Sequence, residues 1–167
     1  GIAVATGISA RSAAPQRIRP AECNGDRGMV QTTTRRTGSL LKAGAVAVVV
    51  SVVLNHFIQA GALALFEIPH DFPPLHGPGP VIFFAVIGAV TGVGVFAGIA
   101  GVSARPISVF RIVAGVVLVL SFIPDLWLLT ESGGANFPGA TPAGVGTLML
   151  MHVVSAAAVV WAVERWS

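Results

Sequence analysis

Four long runs without acidic or basic side chains, or nearly so, dominate the pattern along this chain. Residues 43–66, 80–102, 107–129 and 144–163 are rich in Ala, Val, Leu, Ile, Gly and Phe, and only the third holds charges, Arg111 and Asp125. At about 1.5 Å of rise per residue the first run makes a helix of about 36 Å, longer than the roughly 30 Å hydrocarbon core of a bilayer, and the other three are also long enough to span. The pattern predicts four membrane-spanning helices. Pro80 stands at the start of the second, where a helix tolerates proline. The link of residues 103–106 is short enough to force helices two and three into an antiparallel pair.

Polar residues inside the spans are few and ordered. Ser51, Asn55 and Gln59 recur at every fourth position of the first span, and with His56 they fall within an arc of about 140° at 100° per residue. Thr147, Met151, His152 and Ser155 occupy a similar arc on the fourth. Ser121 and Asp125 lie one turn apart on the third, beside Pro124, which frees the carbonyl of Leu120 and predicts a kink. Such side chains face protein rather than lipid, because an unpaired polar group in hydrocarbon is costly. Counting from the span centres puts Asn55, His56 and His152 within about 5 Å of the midplane and Asp125 about 10 Å toward the outer face. Asp125 and His152 are then separated by about 9 Å along the membrane normal, which argues against a direct bond and for a link through Ser121 or water. In the second span Gly88 and Gly92 form one small-residue face and Gly94 and Gly98 another, roughly opposite, so two neighbours can approach it closely.

Composition removes the soluble alternatives. With 54% hydrophobic and 10% charged residues and a mean hydropathy of +0.82, the chain cannot cover a water-soluble globule. Its net charge of +3 comes from scattered single and paired basic residues, without the basic stripe of a nucleic-acid groove, so no nucleic-acid partner is expected. The lone Cys23 permits neither an internal disulfide nor a thiolate metal site.

Charge placement sets an expected orientation. Arg35, Arg36, Lys42, Arg105, Arg111 and Arg165 fall on one side of the bundle, whereas Glu67, His70, Asp71, His76 and Glu131 fall on the other. The positive-inside rule then puts both termini in the cytoplasm and the protein in the cell membrane, crossing it several times. Phe66, Phe83, Phe84 and Trp127 are expected in an outer aromatic belt, and Phe110, Trp161 and Trp166 in an inner one. The domain of residues 40–166 follows a Pro- and Arg-containing leader, residues 1–39, read as disordered and cytosolic. Met29 opens a stretch that reads as a start, which would put residues 1–28 outside the natural protein; the other reading keeps them as a true tail. Arg35-Arg36 before the first span and Ala62-Leu63-Ala64 within it mimic an export signal, but the apolar run exceeds a signal core of about 7 to 15 residues.

Chemistry is sparse. Glu67, His70, Asp71 and His76 in the outer loop are potential metal ligands whose spacing matches no closed zinc pattern, so a solvated Pro-rich loop is expected. No nucleophile elbow, phosphate loop or His-Glu-x-x-His motif occurs, which predicts a non-enzyme without a cofactor.

The segments Phe72-Pro73-Pro74-Leu75, Ser121-Phe122-Ile123-Pro124-Asp125-Leu126, Gly139-Ala140-Thr141-Pro142 and Leu148-Met149-Leu150-Met151-His152 resemble a family of small four-helix membrane proteins of actinobacteria and haloarchaea, catalogued as a domain of unknown function. The resemblance runs from about Leu40 to Val163 and implies a four-helix membrane fold with no assigned activity. The expected protein is an all-α, four-transmembrane-helix bundle that acts as a packing or partner-binding subunit among lipid, with a second copy or another membrane protein on its glycine faces. One alternative is a proton-coupled carrier using Ser51, Asn55, His56, Gln59, Ser121, Asp125 and His152. Another is a haem- or metal-binding redox subunit in which His56 and His152 serve as paired ligands.

Overall fold

The computed structural model describes the backbone of residues 25–167 and the side chains of residues 38–167. Five helices follow in order: α1 (Gly25–Leu65), α2 (Pro78–Val102), α3 (Pro106–Trp127), α4 (Glu131–Asn136) and α5 (Pro142–Trp166), with a short 3-10 turn at Pro73–Leu75 before α2. Four of them are long and apolar enough to cross a membrane: the Gly38–Leu65 part of α1, and α2, α3 and α5. Their outer surfaces carry exposed Phe57, Ile112, Val119 and Ile123, an apolar belt that water would not tolerate and lipid does. The molecule is an all-helical, multi-pass membrane protein.

Local sequence explains where the helices begin. Each of α2, α3 and α5 has proline in its first turn, where the missing N–H had no intrahelical partner to lose. The Thr141 hydroxyl accepts from the Gly144 N–H at 3.1 Å and caps α5, and Thr130 caps α4 through the Gly133 N–H at 3.2 Å. The second half of the expected leader differs from the prediction, because α1 is already helical from Gly25. No proline interrupts residues 25–65, and adding a turn to an existing helix avoids the cost of a new nucleus. Residues 1–24 lie outside the described residues.

Helix α5 is the hub, packing on α1, α3 and α2, while α2 also contacts α1 and α3. The α1–α5 contact is the most extensive, and its basis is legible on both helices. Ala43, Ala47, Ser51, Asn55, Gln59 and Ala62 form a buried stripe on α1, and Gly144, Thr147, Met151, Ala158 and Ala162 are buried along α5. Mostly small side chains at three- and four-residue spacing let the two backbones approach.

Two apolar clusters fill the bundle. One holds Ala62, Ile68, Phe72, Leu75, Val81, Leu128, Val145 and Met151. The other, toward the opposite end, holds Ala47, Ala89, Phe96, Phe110, Val159, Ala162 and Val163. The first cluster corrects the expectation of a solvated outer loop. Phe72 and Leu75 are fully buried and Ile68 nearly so, because the prolines fold the segment inward and its three apolar side chains cap the bundle, while Glu67, His70 and Asp71 stay exposed. Gly139, with φ +82°, lies where a Cβ would come within 3.1 Å of the Asp71–Phe72 peptide, so the two outer loops meet backbone to backbone. The second cluster moves Phe110 out of the expected aromatic belt: it is buried edge-on against Phe96, ring centroids 5.3 Å apart.

Candidate functional site

Between the two apolar clusters lies a layer of polar side chains. The Asn55 amide donates from Nδ2 to the Ser155 hydroxyl at 2.8 Å, joining α1 to α5. Gln59 Nε2 donates to the carbonyls of Leu75 at 2.8 Å and Gly77 at 3.0 Å, tying α1 to the outer loop. Ser51 is fully buried in the same stripe. Ser121 donates to its own helix at Leu118 O, 2.7 Å away, and does not reach the histidines.

Asp125 and His152 do meet. His152 Nδ1 lies 3.2 Å from Asp125 Oδ2, which corrects the separation inferred from depth. Counting from span centres assumes that the centres are level, and α3 and α5 are not. Arg111 Nε contacts Glu164 Oε1 at 2.5 Å, and this pair and Asp125–His152 are fourteen residues apart on α3 and twelve on α5. Both pairs fit one antiparallel register. Centre alignment would have set Asp125 beside Gly146 and Thr147, more than a turn away from His152. The shift carries Arg111 onto a carboxylate as well.

The protons of this group can be partly assigned. His152 Nδ1 is 2.8 Å from Leu148 O, and since a carbonyl only accepts, the ring carries a proton on Nδ1. That proton points at the carbonyl, and Asp125 Oδ2 is left without a hydrogen bond although it is near the ring. Asn55 Oδ1 is likewise buried without a partner.

Asn55, Ser121, Asp125, His152 and Ser155 all line one cavity of about 770 Å³ walled by α2, α3 and α5. The rest of its lining is almost wholly apolar and includes Phe84, Gly88, Val117 and Trp127. Phe84, Ile87 and Val117 are exposed at its rim, so the cavity opens sideways between α2 and α3 toward the surrounding lipid. Asp125 is 6% exposed and Asn55 5%, whereas the His152 side chain is 42% exposed and stands toward the mouth.

A family model described as a family of unknown function (DUF6069) matches residues 34–167. The chain belongs to DUF6069. No curated protein and no solved structure matches it. The match contains all four spans and the whole polar layer of this DUF6069 chain, and it assigns no activity to any residue.

Other candidate residues of the DUF6069 bundle are dispersed. His56 Nδ1 bonds the Val52 carbonyl at 2.8 Å and lines a separate cavity with Phe57 and Ile82. His56 and His152 therefore do not face one space, which removes the geometric basis for paired axial ligation of a haem. His70 and His76 stack at 4.8 Å, and among the described residues no group of three or more His, Cys, Asp or Glu gathers. Of the glycines, Gly92 is a close approach: a Cβ there would sit 2.8 Å from Val159 Cγ1 of α5. Gly88 opens on the cavity, and Gly94 and Gly98 have open space around them. Ser155 is the partner that sequence reasoning undervalued, although its place in the polar arc of the fourth span was the available signal.

Proposed function

We propose that this chain is a non-enzymatic subunit of the cytoplasmic membrane, with both termini inside, whose polar layer fixes how four apolar helices pack. The observation that carries this reading is the pairing of Asn55 with Ser155 and of Gln59 with two loop carbonyls, between apolar clusters that close the bundle above and below. Without a hydrophobic force between helices in lipid, such bonds select one arrangement among many apolar ones. A proton path needs a continuous polar route to both surfaces, and Phe72 and Leu75 at one end and Phe96, Phe110 and Val163 at the other are side chains that carry no proton. The orientation rests on the one-sided placement of Arg and Lys. The open face around Gly94 and Gly98 is where a second copy or another membrane protein docks, since small residues allow close helix approach.

Proton flux into liposomes carrying the purified protein tests the reading. Wild type and Asp125→Asn should leak protons no faster than empty liposomes. Flux in the wild type that disappears in Asp125→Asn would replace it with a proton-coupled carrier.

A further inference from the structure

Among the groups that the packing network leaves unused, Asp125 Oδ2, Asn55 Oδ1 and the far nitrogen of His152 belong to residues that line the lateral cavity. The two oxygens are buried and unpartnered. The His152 proton on Nδ1 is turned to Leu148 O and leaves Asp125 Oδ2 without a hydrogen bond. The groups are contiguous, because Asn55 bonds Ser155, Ser155 is three residues from His152 on one face of α5, and His152 touches Asp125. The polar wall of this cavity therefore holds a carboxylate oxygen and an amide oxygen that none of its own donors reaches. The remaining lining is apolar, the opening faces lipid, and the volume lies within the range of small-molecule sites, about 300 to 1,000 Å³.

We propose that this cavity binds a membrane-dissolved amine, an apolar body carrying one protonated amino group that donates to Asp125 and Asn55. A buried carboxylate is stabilised by a cation that also supplies hydrogen bonds. Arg111, the basic side chain of α3, is held by Glu164 at the other end of that helix and cannot serve, and His152, though 3.2 Å away, turns its Nδ1 proton to Leu148 O and leaves Asp125 Oδ2 unbonded. A lipophilic alcohol would satisfy the acceptors and leave the charge, and a fatty acid would add a second negative charge to the first. The expected order is amine, then alcohol, then acid. The same ammonium chemistry is available from a free lipophilic amine or from the head of an aminophospholipid.

Binding of decylamine, decanol and decanoate to the full chain in phosphatidylcholine nanodiscs, corrected for uptake by empty nanodiscs, decides the matter. Decylamine should bind saturably and at least tenfold more tightly than decanol, and decanoate should not exceed the empty-disc level. Asp125→Asn should remove the tenfold preference. Gly88→Leu, which puts a side chain into the cavity where a Cβ meets nothing within 4 Å, should abolish binding with the carboxylate still present, and serves if Asp125→Asn does not fold. Decylamine uptake equal to that of empty discs, decanol binding as tightly as decylamine, or a preference that survives Asp125→Asn would overturn the proposal. Adding phosphatidylethanolamine separates the sources: competition with decylamine identifies the bilayer lipid, and its absence a dissolved amine. The readout is binding alone, so proton flux would refute the subunit reading and leave this one standing.

Discussion

Gln59 shows how much one side chain can hold. Its amide serves two carbonyls of the outer loop at once, and that of the fully buried Leu75 has no water to replace it. Gln59→Leu should lower stability by about 1–3 kcal/mol, the cost of leaving buried acceptors unpaired, and should raise amide exchange across residues 69–77 before the rest of the bundle responds. Unchanged exchange in that loop would mean that Phe72 and Leu75 hold it without help. The Asp125–His152 contact makes a second claim at this scale. In a double-mutant cycle with Asp125→Asn and His152→Gln, the coupling should reach about 0.5–3 kcal/mol, since residues in contact rarely add. Strict additivity would show two independent groups that merely share a wall. The polar positions were readable from the sequence because each lies on a helical arc with others. Their partners were not, because periodicity gives the angle around a helix and says nothing of which neighbour stands opposite or at what height.

Helix α2 separates two kinds of glycine that look alike in sequence. Gly92 lies against Val159 with no room for a side chain, whereas Gly94 faces open space. Gly92→Leu should therefore destabilise the detergent-solubilised protein by about 1–3 kcal/mol through overpacking, and Gly94→Leu should stay within about 0.5 kcal/mol, as changes away from contacts do. Thermal unfolding of the two variants side by side checks this. Equal losses would mean that the Gly94 face is also covered, by a second copy in the micelle, which a mass measurement would reveal. The four spans themselves were legible, because length and hydropathy alone decide which segments suit a bilayer. The burial of Ile68, Phe72 and Leu75 was not, since three prolines and several polar residues disguise a segment that folds back as a cap.

At the scale of the molecule the proposed orientation has a direct check. In a Cys23→Ser background, cysteine placed at Ser132 in α4 should react with an impermeant thiol reagent added outside intact cells, and cysteine at Ser103, between α2 and α3, should react only after permeabilisation. The opposite pattern would invert the topology, and labelling of both sites from outside would break the four-span arrangement. Both sites suit the experiment because Ser132 is exposed and Ser103 lies in the short link after α2. Arg111 and Glu164, paired across α3 and α5 at the end holding the basic residues, keep their charges at the membrane surface in either case, so the bundle does not depend on the outcome.

By itself the sequence determined that this is a membrane protein, that four helices are suited to cross, and that Ser51, Asn55, Gln59, Asp125 and Thr147 turn inward, because those properties follow from transfer free energies and helical angles that each segment carries alone. His152, expected among them, stands exposed at the cavity mouth. Tertiary structure decided the rest. The stagger of α3 against α5 brings Asp125 to His152 and Arg111 to Glu164, and no count along one helix can supply a shift between two. The sideways cavity exists because α3 leans on α5 and α2 and makes little contact with α1, an arrangement set by side-chain volumes on three helices together. The unpartnered oxygens of Asp125 and Asn55 became visible only when every neighbour was in place, since whether a buried group is satisfied is a property of its surroundings and not of the residue.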